Sequence, residues 1–246
     1  MRIRTLLLSL CLPALLCLGE AHAAKPVRVA IDPTFPPMEY IQNGKRVGFD
    51  MDLAQALSAR LGRPFDYTDM DFKAMVPSVM SGRADMILSA IYITDERKKV
   101  VDFTDPYFSA GLVVLVKKDN AQITHLADLA GKRVAVQVGT KSVAVLSDNY
   151  PTVQRMEVEK NEEMFNALES GRADAVVTGK PAALLYAKTR GTAKVLPEPL
   201  THEDYGIAVS KNEPQLRDAL NKALAQLKAD GTWQELQEKW FGASGN

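Results

Sequence analysis

Ser81-Gly82-Arg83-Ala84-Asp85-Met86-Ile87-Leu88 returns later in the chain as Ser170-Gly171-Arg172-Ala173-Asp174-Ala175-Val176-Val177. In both copies a glycine stops a helix, a turn follows, and an apolar run of strand character begins. Ahead of the first copy the pattern reads as a strand at 27–31 and a helix over 50–61. That helix carries Met51, Leu53, Ala54, Leu57 and Leu61 on one face, with Gly62 as its stop. A strand at 65–70 and a helix over 72–80 lead into the strand at 84–88. Thr94 then caps a helix over 95–100, and 111–116 is a strongly apolar strand. Around the second copy, Thr124 caps a short helix ending at Gly131, and 132–138 is a strand. Gly139-Thr140 opens a helix, 153–158 is a strand, and Asn161 caps a helix that stops at Gly171. A strand at 173–177, a helix over 181–189 and a strand at 205–209 follow. Two helices, 213–230 and 232–240, close the chain on either side of Gly231. Strands separated by helices predict an α/β fold with parallel sheets and right-handed crossovers. Chance reuse of a common connector would explain the echo locally. The similar order of elements around both copies predicts two lobes of like architecture.

The charge balance narrows the function classes. Across 246 residues, 30 Lys and Arg meet 30 Asp and Glu, which excludes a generic nucleic-acid binder needing a basic surplus. The apolar share, 46%, is that of a chain able to bury a core. At the N-terminus Arg2 and Arg4 precede an apolar run over 6–18, and Ala21-His22-Ala23 follows. This three-part layout predicts a signal peptide over 1–23, cleaved after Ala23. The run is too short to be a membrane anchor, since spanning hydrocarbon takes about 20 residues. Cys11 and Cys17 both lie in that segment, so the mature chain is expected to hold no thiol, disulfide or thiolate metal site. Each follows a Leu, where lipid attachment would favour a small residue. The expectation is a freely soluble periplasmic protein.

A family resemblance emerges from the order of several motifs. Val29-Ala30-Ile31-Asp32 runs into Phe35-Pro36-Pro37-Met38-Glu39-Tyr40, and Val47-Gly48-Phe49-Asp50-Met51-Asp52-Leu53 follows. Next come Ile93-Thr94-Asp95-Glu96-Arg97-Lys98-Lys99 and Asp102-Phe103-Thr104-Asp105-Pro106-Tyr107. Gly206-Ile207-Ala208-Val209 and Lys239-Trp240-Phe241-Gly242 complete the set. Together they resemble the type II periplasmic solute-binding proteins of the polar amino-acid branch that serve ATP-driven importers, with a sub-pattern similar to the glutamine- and histidine-binding proteins. The resemblance implies two lobes, each a mostly parallel sheet flanked by helices, joined by two hinge strands. Lobe one would comprise 26–107 plus 206–246, lobe two 112–201, with hinges near 108–111 and 202–205. It also implies a small-molecule ligand in the cleft, lobe closure by hinge bending, and ABC permease subunits as partners. No cofactor is implied, and nothing in the sequence suggests an obligate oligomer.

Arg97 stands three residues after Thr94, near a helix start where the dipole disfavours cations. Its planar fork matches a carboxylate, and the resemblance gives it the ligand carboxylate. A surface ion pair with Asp95 or Glu96 is the alternative. Gly139-Thr140 precedes a helix start, where backbone N–H groups can face an anion. By resemblance Thr140 meets the same carboxylate from lobe two. Ser89 and Ala90 end a buried strand and would offer polar groups at the cleft edge. Asp32 ends the first strand, facing the crevice beyond its C-terminal end. The resemblance gives it the ligand's distal polar or cationic group, while a turn role before Pro33 is the alternative. Phe35 and Phe72 match positions that sandwich the aliphatic part of the ligand, and Tyr92 stands where relatives have Ser or Thr. Gln137 and Lys141 depart from the glutamine-binding pattern at cleft positions.

The pattern breaks after Thr178. Relatives that bind α-amino acids carry an Asp there, which holds the α-ammonium, and this chain has Gly179. Three repairs are open. Asp32, Glu203 or Asp204 supplies the charge, Phe35, Phe72 and Tyr92 form an aromatic box, or the ligand lacks an α-ammonium and Lys180 or Lys141 meets a second anion. If the missing carboxylate is the only defect, Gly179→Asp is expected to raise affinity for α-amino acids. The leading expectation is a binder of a small carboxylate-bearing solute, most simply a polar amino acid. An opine, a compatible solute or another organic acid is the non-standard alternative. A cyclohexadienyl-dehydratase-like enzyme on the same fold is a further one, although His125 and His202, the two histidines beyond the leader, suggest no Ser-His-Asp constellation. A sensor acting through a separate signalling receptor is the third class.

Overall fold

The computed structural model describes residues 25–242, so the expected signal peptide lies outside the described residues. The chain opens with β1 (Val27–Ile31), β2 (Thr34–Phe35), β3 (Glu39–Gln42) and β4 (Lys45–Val47), then α1 (Phe49–Leu61). Asn43-Gly44 turns β3 into β4, both residues with positive φ, as a two-residue hairpin demands. α1 begins at Asp50 and Asp52, whose charges suit its N-terminus, and ends on Gly62 in the left-handed conformation. β5 (Phe65–Asp69), α2 (Phe72–Met80), β6 (Met86–Ile87), the one-turn α3 (Asp95–Lys98) and β7 (Asp102–Phe103) follow. β8 (Phe108–Ala110) leaves this sheet, and β9 (Leu112–Lys117) opens the next.

The second set consists of β10 (Arg133–Gln137), α4 (Lys141–Asn149), β11 (Gln154–Val158), α5 (Asn161–Glu169), β12 (Ala175–Gly179), α6 (Lys180–Arg190) and β13 (Ala193–Val195). β14 (Glu203–Tyr205) returns antiparallel to β8, and β15 (Ala208–Val209), α7 (Pro214–Ala229) and α8 (Thr232–Phe241) end the described chain.

Each lobe is built on one five-stranded sheet. The orders are β5-β1-β6-β15-β7 and β11-β10-β12-β9-β13. In both, the first three strands are mutually parallel and the fourth runs antiparallel to the third and to the fifth. The sheets are therefore mixed rather than wholly parallel. The fourth strand of each is reached from a segment shared by both lobes, β9 after β8 and β15 after β14. Such an entry needs no helical crossover, so it can run either way. The strand expected at 205–209 splits for the same reason: Tyr205 belongs to β14, while Ala208 and Val209 pair with β6 and β7.

Smaller differences have local causes. Thr94 does cap α3, its Oγ accepting from Arg97 N at 3.2 Å. Thr124 is not a cap. Asp128, inside a 3-10 turn at Leu126–Leu129, instead accepts from the backbone N–H groups of Thr124 and His125. Asn161 is the first residue of α5 rather than its cap, because its side chain turns into the cleft.

The repeated Ser-Gly-Arg-Ala-Asp is a structural repeat. Gly82 and Gly171 both adopt positive φ, 71° and 72°. Asp85 accepts from Arg28 N at 2.8 Å and Nε at 3.2 Å. Asp174 accepts from Arg133 N at 2.9 Å and Nε at 3.1 Å. Each Arg reaches back to the turn glycine, Arg28 to Gly82 O and Arg133 to Gly171 O. In each lobe one carboxylate thus pins the start of the third strand of the sheet to that of the second. The arginine beside each Asp holds it below the usual carboxylate range, by hydrogen bonding and charge against the desolvation of partial burial. A depressed carboxylate contributes stability above its unfolded pKa, lost as pH falls through the folded value. Asp85→Ala is therefore expected to cost about 1–2 kcal/mol near neutral pH. Asp174→Ala should cost less, because its side chain is more exposed, 32% against 14%. Urea denaturation at neutral pH and again below about pH 4 checks this, since the variants and the parent should converge in acid.

Candidate ligand cleft

Four strands, two from each sheet, aim their C-terminal ends at one gap between the lobes. β1 delivers Asp32, β6 delivers Ser89 and Ala90, β10 delivers Gln137, and β12 delivers Thr178 and Gly179. This is where open α/β sheets place ligands, since the loops beyond strand C-termini part there. These residues, with Phe35, Phe72, Tyr92 and Thr140, line one pocket enclosing about 430 Å³ of space, its opening included. Ten of the twelve expected site residues therefore meet there. The other two, Arg97 and Lys141, line a larger outer vestibule, which Phe72 and Thr140 share with the pocket.

Asp32 is the polar centre of the pocket and is 1% exposed. Its Oδ1 accepts from Thr34 Oγ at 2.9 Å in the same lobe, and its Oδ2 accepts from Gln137 Nε2 at 2.7 Å across the gap. Asn161 Nδ2 donates to Gln137 Oε1 at 3.0 Å, so the amide of Gln137 is oriented from behind. Burial pushes the Asp32 carboxyl up, while the Thr34 hydroxyl, Lys160 and Gln137 oppose that rise. Lys160 Nζ stands 3.8 Å from Asp32 and 2.7 Å from Asp71.

Arg97 sits at the rim. Its Nη1 donates to Tyr92 O at 2.8 Å and its Nη2 to Gly139 O at 3.2 Å, the second bond crossing between lobes. The guanidinium lies over the Phe72 ring, 5.5 Å from its centroid. Its hydrogen-bonded acceptors are carbonyl oxygens rather than a carboxylate, and burial lowers its pKa to about 10, so it remains charged at neutral pH. The dipole argument for Arg97 carries little weight, because α3 is a single turn. What matters is that its fork meets the residue before the α4 start. Thr140 is the α4 N-cap. Its hydroxyl donates to Gln137 O at 2.7 Å, leaving the first N–H groups of α4 without intrahelical acceptors. Lys141, the first residue of α4, ion-pairs with Glu203 on β14.

Gly179 explains its own departure from the pattern. A Cβ there would collide with Tyr205 Oη and stand 2.9 Å from the Phe35 ring and 3.3 Å from Tyr92 Oη. The two tyrosines touch, Tyr205 Oη donating to Tyr92 Oη at 3.3 Å, with ring centroids 4.6 Å apart. The space of a side chain at 179 is thus filled with phenol. Lys180 opens α6 and lines a separate groove beside Pro37 and Leu184, outside this pocket. Asp204 is engaged by the Ser109 hydroxyl.

Sequence reasoning missed Tyr205, Glu39, Ser142, Asn161 and Met164 as lining residues. Glu39 stands in a quoted motif and Tyr205 at the start of the strand expected at 205–209, but nothing in their spacing shows that they reach the cleft. Asn161 was read as a cap, which is what an Asn before a helix ordinarily is.

Two mixed sheets, two connecting strands and a polar cleft lined by both lobes define a two-lobed ligand-binding protein. The chain belongs to the bacterial extracellular solute-binding proteins, family 3, whose model matches residues 27–243. It is similar to ABC transporter arginine-binding protein 1 of Escherichia coli (strain K12), 35% identical over 227 residues, 90% of this chain and 93% of that protein. It is similar in structure to an ancestral arginine-binding protein bound to arginine. There the TM-score is 0.86 and the identity 42%, covering 90% of this chain and all of that one. An ancestral amino acid-binding protein described as a precursor of cyclohexadienyl dehydratase is 41% identical at a TM-score of 0.83, covering 88% and 95% of the two chains.

The geometry at Gly179 reverses the expectation drawn from its sequence position. Gly179→Ala and Gly179→Asp should both weaken ligand binding, because either side chain must displace Tyr205 or Phe35 before the lobes can meet. Pairing Gly179→Ala with Tyr205→Phe removes the nearest atom and should recover part of the loss. Calorimetry on the three variants checks this, and tighter binding by Gly179→Asp alone would count against it.

Proposed function

We propose that this protein is the periplasmic substrate-binding component of an ABC importer, capturing a small carboxylate-bearing solute, a polar amino acid, by closure of two lobes. The observation that carries the reading is the placement of Arg97. A guanidinium held only by carbonyls lies against the start of α4 from the opposite lobe. A carboxylate entering there gains a bidentate guanidinium and free backbone N–H groups together.

Asp32, Gln137 and Thr178 would face the distal, polar end of the ligand. Phe35, Phe72 and Tyr92 would flank its aliphatic part, and Ser89, Ala90, Thr140, Lys141 and Gly179 would complete the enclosure. Asp32 is the acidic side chain at the polar centre of the inner pocket, which favours a cationic tip on the side chain over an anionic one. For the α-amine, Asp32 and Glu203 remain the available carboxylates, and Glu203 would have to give up Lys141. Lobe one would take 26–107 and 206–246, lobe two 112–201, with β8 and β14 as the paired hinge strands at 108–111 and 202–205. Contacts across the gap, Asp32 with Gln137 and Lys73 with Glu159, are those that closure would make and opening would break. Membrane permease subunits are the partner this reading calls for, and it assigns no turnover. The transport-protein names of the relatives support that over an enzyme.

The test is a thermal-shift screen of the purified chain against amino acids, opines, compatible solutes and dicarboxylates, because a ligand bound only by the native state raises the melting temperature. A basic amino acid should give the largest shift. Arg97→Ala should remove the shift while lowering unliganded stability by no more than about 1–2 kcal/mol, the scale of two hydrogen bonds from a partly buried group. Unchanged affinity in Arg97→Ala, read by calorimetry, would refute the pocket assignment. Asp32→Asn should retain neutral ligands and lose cationic ones.

A further inference from the structure

At the cleft wall and just behind it lie two buried carboxyl groups that the binding reading does not use. Glu39, 1% exposed, is the first residue of β3, and Asp50, fully buried, stands in the first turn of α1. The elements are tied together, with Asp50 N donating to Met38 O at 2.8 Å. Two of the four carboxyl oxygens have donors. Glu39 Oε1 accepts from Ser89 Oγ at 2.7 Å, and Asp50 Oδ2 accepts from both Ala90 N at 2.8 Å and Tyr107 Oη at 2.9 Å. That leaves Glu39 Oε2 and Asp50 Oδ1, two buried oxygens with no donor. Each carboxyl acts directly on the other, and two ionised carboxylates facing one another would repel with no hydrogen bond between them.

We propose that Glu39 and Asp50 share one proton between Glu39 Oε2 and Asp50 Oδ1, and that this carboxylic acid–carboxylate pair is the positioning element that holds the Ser89–Ala90 rim of the cleft. One proton satisfies both orphaned oxygens, one donating and one accepting. The donor count says which residue carries it. Asp50 receives two hydrogen bonds, one of them from a backbone N–H, and Glu39 receives one, so the charge rests on Asp50 and the proton on Glu39.

The rim depends on this arrangement. Ala90 has φ 43°, a left-handed conformation that a residue with a Cβ adopts at a cost. Its N–H is held by Asp50. Ser89, next to it, donates to Glu39 and accepts Asp32 N at 3.1 Å. The pair therefore fixes a strained residue and the backbone that carries Asp32. As a positioning role in ligand capture it rests on the binding reading above, whereas the proton count stands without it.

The groups facing the pair are Asp32 at the end of β1, Tyr107 before β8 and Tyr205 on β14. The charges that bear on Glu39 are carboxylates, Asp50 first and then Asp32. Burial raises both members, Asp50 to about 6 and Glu39 well above its ordinary value. Groups raised in the folded state favour folding below their unfolded pKa. Stability is then lost as pH rises through their folded values, here as Asp50 ionises and later as the shared proton leaves.

Amide variants test this without any ligand. In Glu39→Gln the carboxamide oxygen accepts from Ser89 and its nitrogen donates to Asp50, copying the protonated acid. In Asp50→Asn the nitrogen donates to an ionised Glu39. Each single variant should melt within about 3 °C of the parent near pH 7. The double variant sets two NH₂ groups against each other with no acceptor. It should melt at least about 5 °C below the sum of the single effects. Glu39→Gln should also lose the fall in melting temperature expected of the parent as pH rises into alkali. Exchange of the Ala90 amide should remain parent-like in Glu39→Gln and become about tenfold faster in Glu39→Ala. An additive double variant overturns the shared proton, as does a Glu39→Gln profile that follows the parent into alkali. Unchanged Ala90 exchange in Glu39→Ala overturns the positioning role. Should Asp50→Asn not fold, the alkaline profile of Glu39→Gln decides alone. None of these readouts uses a ligand, so their failure is separate from a failure to bind amino acids.

Discussion

A carboxylate buried at the seam of two lobes has to be satisfied by both. Asp32 is almost fully enclosed, and its two oxygens are divided, one to Thr34 in its own lobe and one to Gln137 in the other. Stripping water from an ionised carboxylate costs several kcal/mol unless donors replace it. The lobes can therefore come together only where lobe two presents a donor at that height. β10 provides it, because its C-terminal residue is a glutamine whose amide is oriented by Asn161. Burial still leaves the carboxyl above its ordinary pKa, so the hydrogen bonds do not fully offset the desolvation. A cationic group in the pocket would supply what the neutral amide lacks. The same interaction thus shapes the closed cleft and biases the kind of guest it favours.

That seam exists because two sheets of the same order face each other. Arg28 with Asp85 and Arg133 with Asp174 tie the third strand of each sheet to the second at equivalent points in each lobe. These ties are at strand N-terminal ends, far from the chemistry. They leave the C-terminal ends free to carry Asp32, Ser89, Gln137 and Gly179, four residues with no common role in stability. The division resembles that of other open α/β proteins, where the carboxyl ends of strands hold function and the opposite ends hold the fold.

The architecture was legible where periodicity and punctuation agree. The 72–80 helix, the Gly62 stop and the repeated connector were read correctly because each signal is local. The antiparallel fourth strands were not, since short runs such as Ala208–Val209 say nothing about which neighbour they will meet. In the cleft, ten of the expected residues converge in one pocket, and Arg97 stands at its rim. The legible ones end strands or open helices. Glu39 and Tyr205 were illegible in function because their place is set by contacts distant in sequence: Glu39 with Ser89 fifty residues on, and Tyr205 with Tyr92 from the far side of lobe two. Neither contact has a local signature.

Tyr205 also shows how a missing charge should be judged. Read along the sequence, Gly179 is a lost carboxylate and invites its replacement. Read in space, it is a lost side chain, and the volume has already been taken by Tyr205, Phe35 and Tyr92. Two phenols in contact form a wall that is apolar over its rings and polar at its hydroxyls. An ammonium at such a wall meets ring faces and hydroxyl oxygens where an acid would have offered a full charge. The carboxylates that remain are Asp32 inside the pocket and Glu203, which is paired with Lys141 of the vestibule. If Arg97 takes the anionic end of the ligand, as proposed, specificity would depend on the distance between that end and the ligand's cationic groups, and guests would be selected by length as much as by charge.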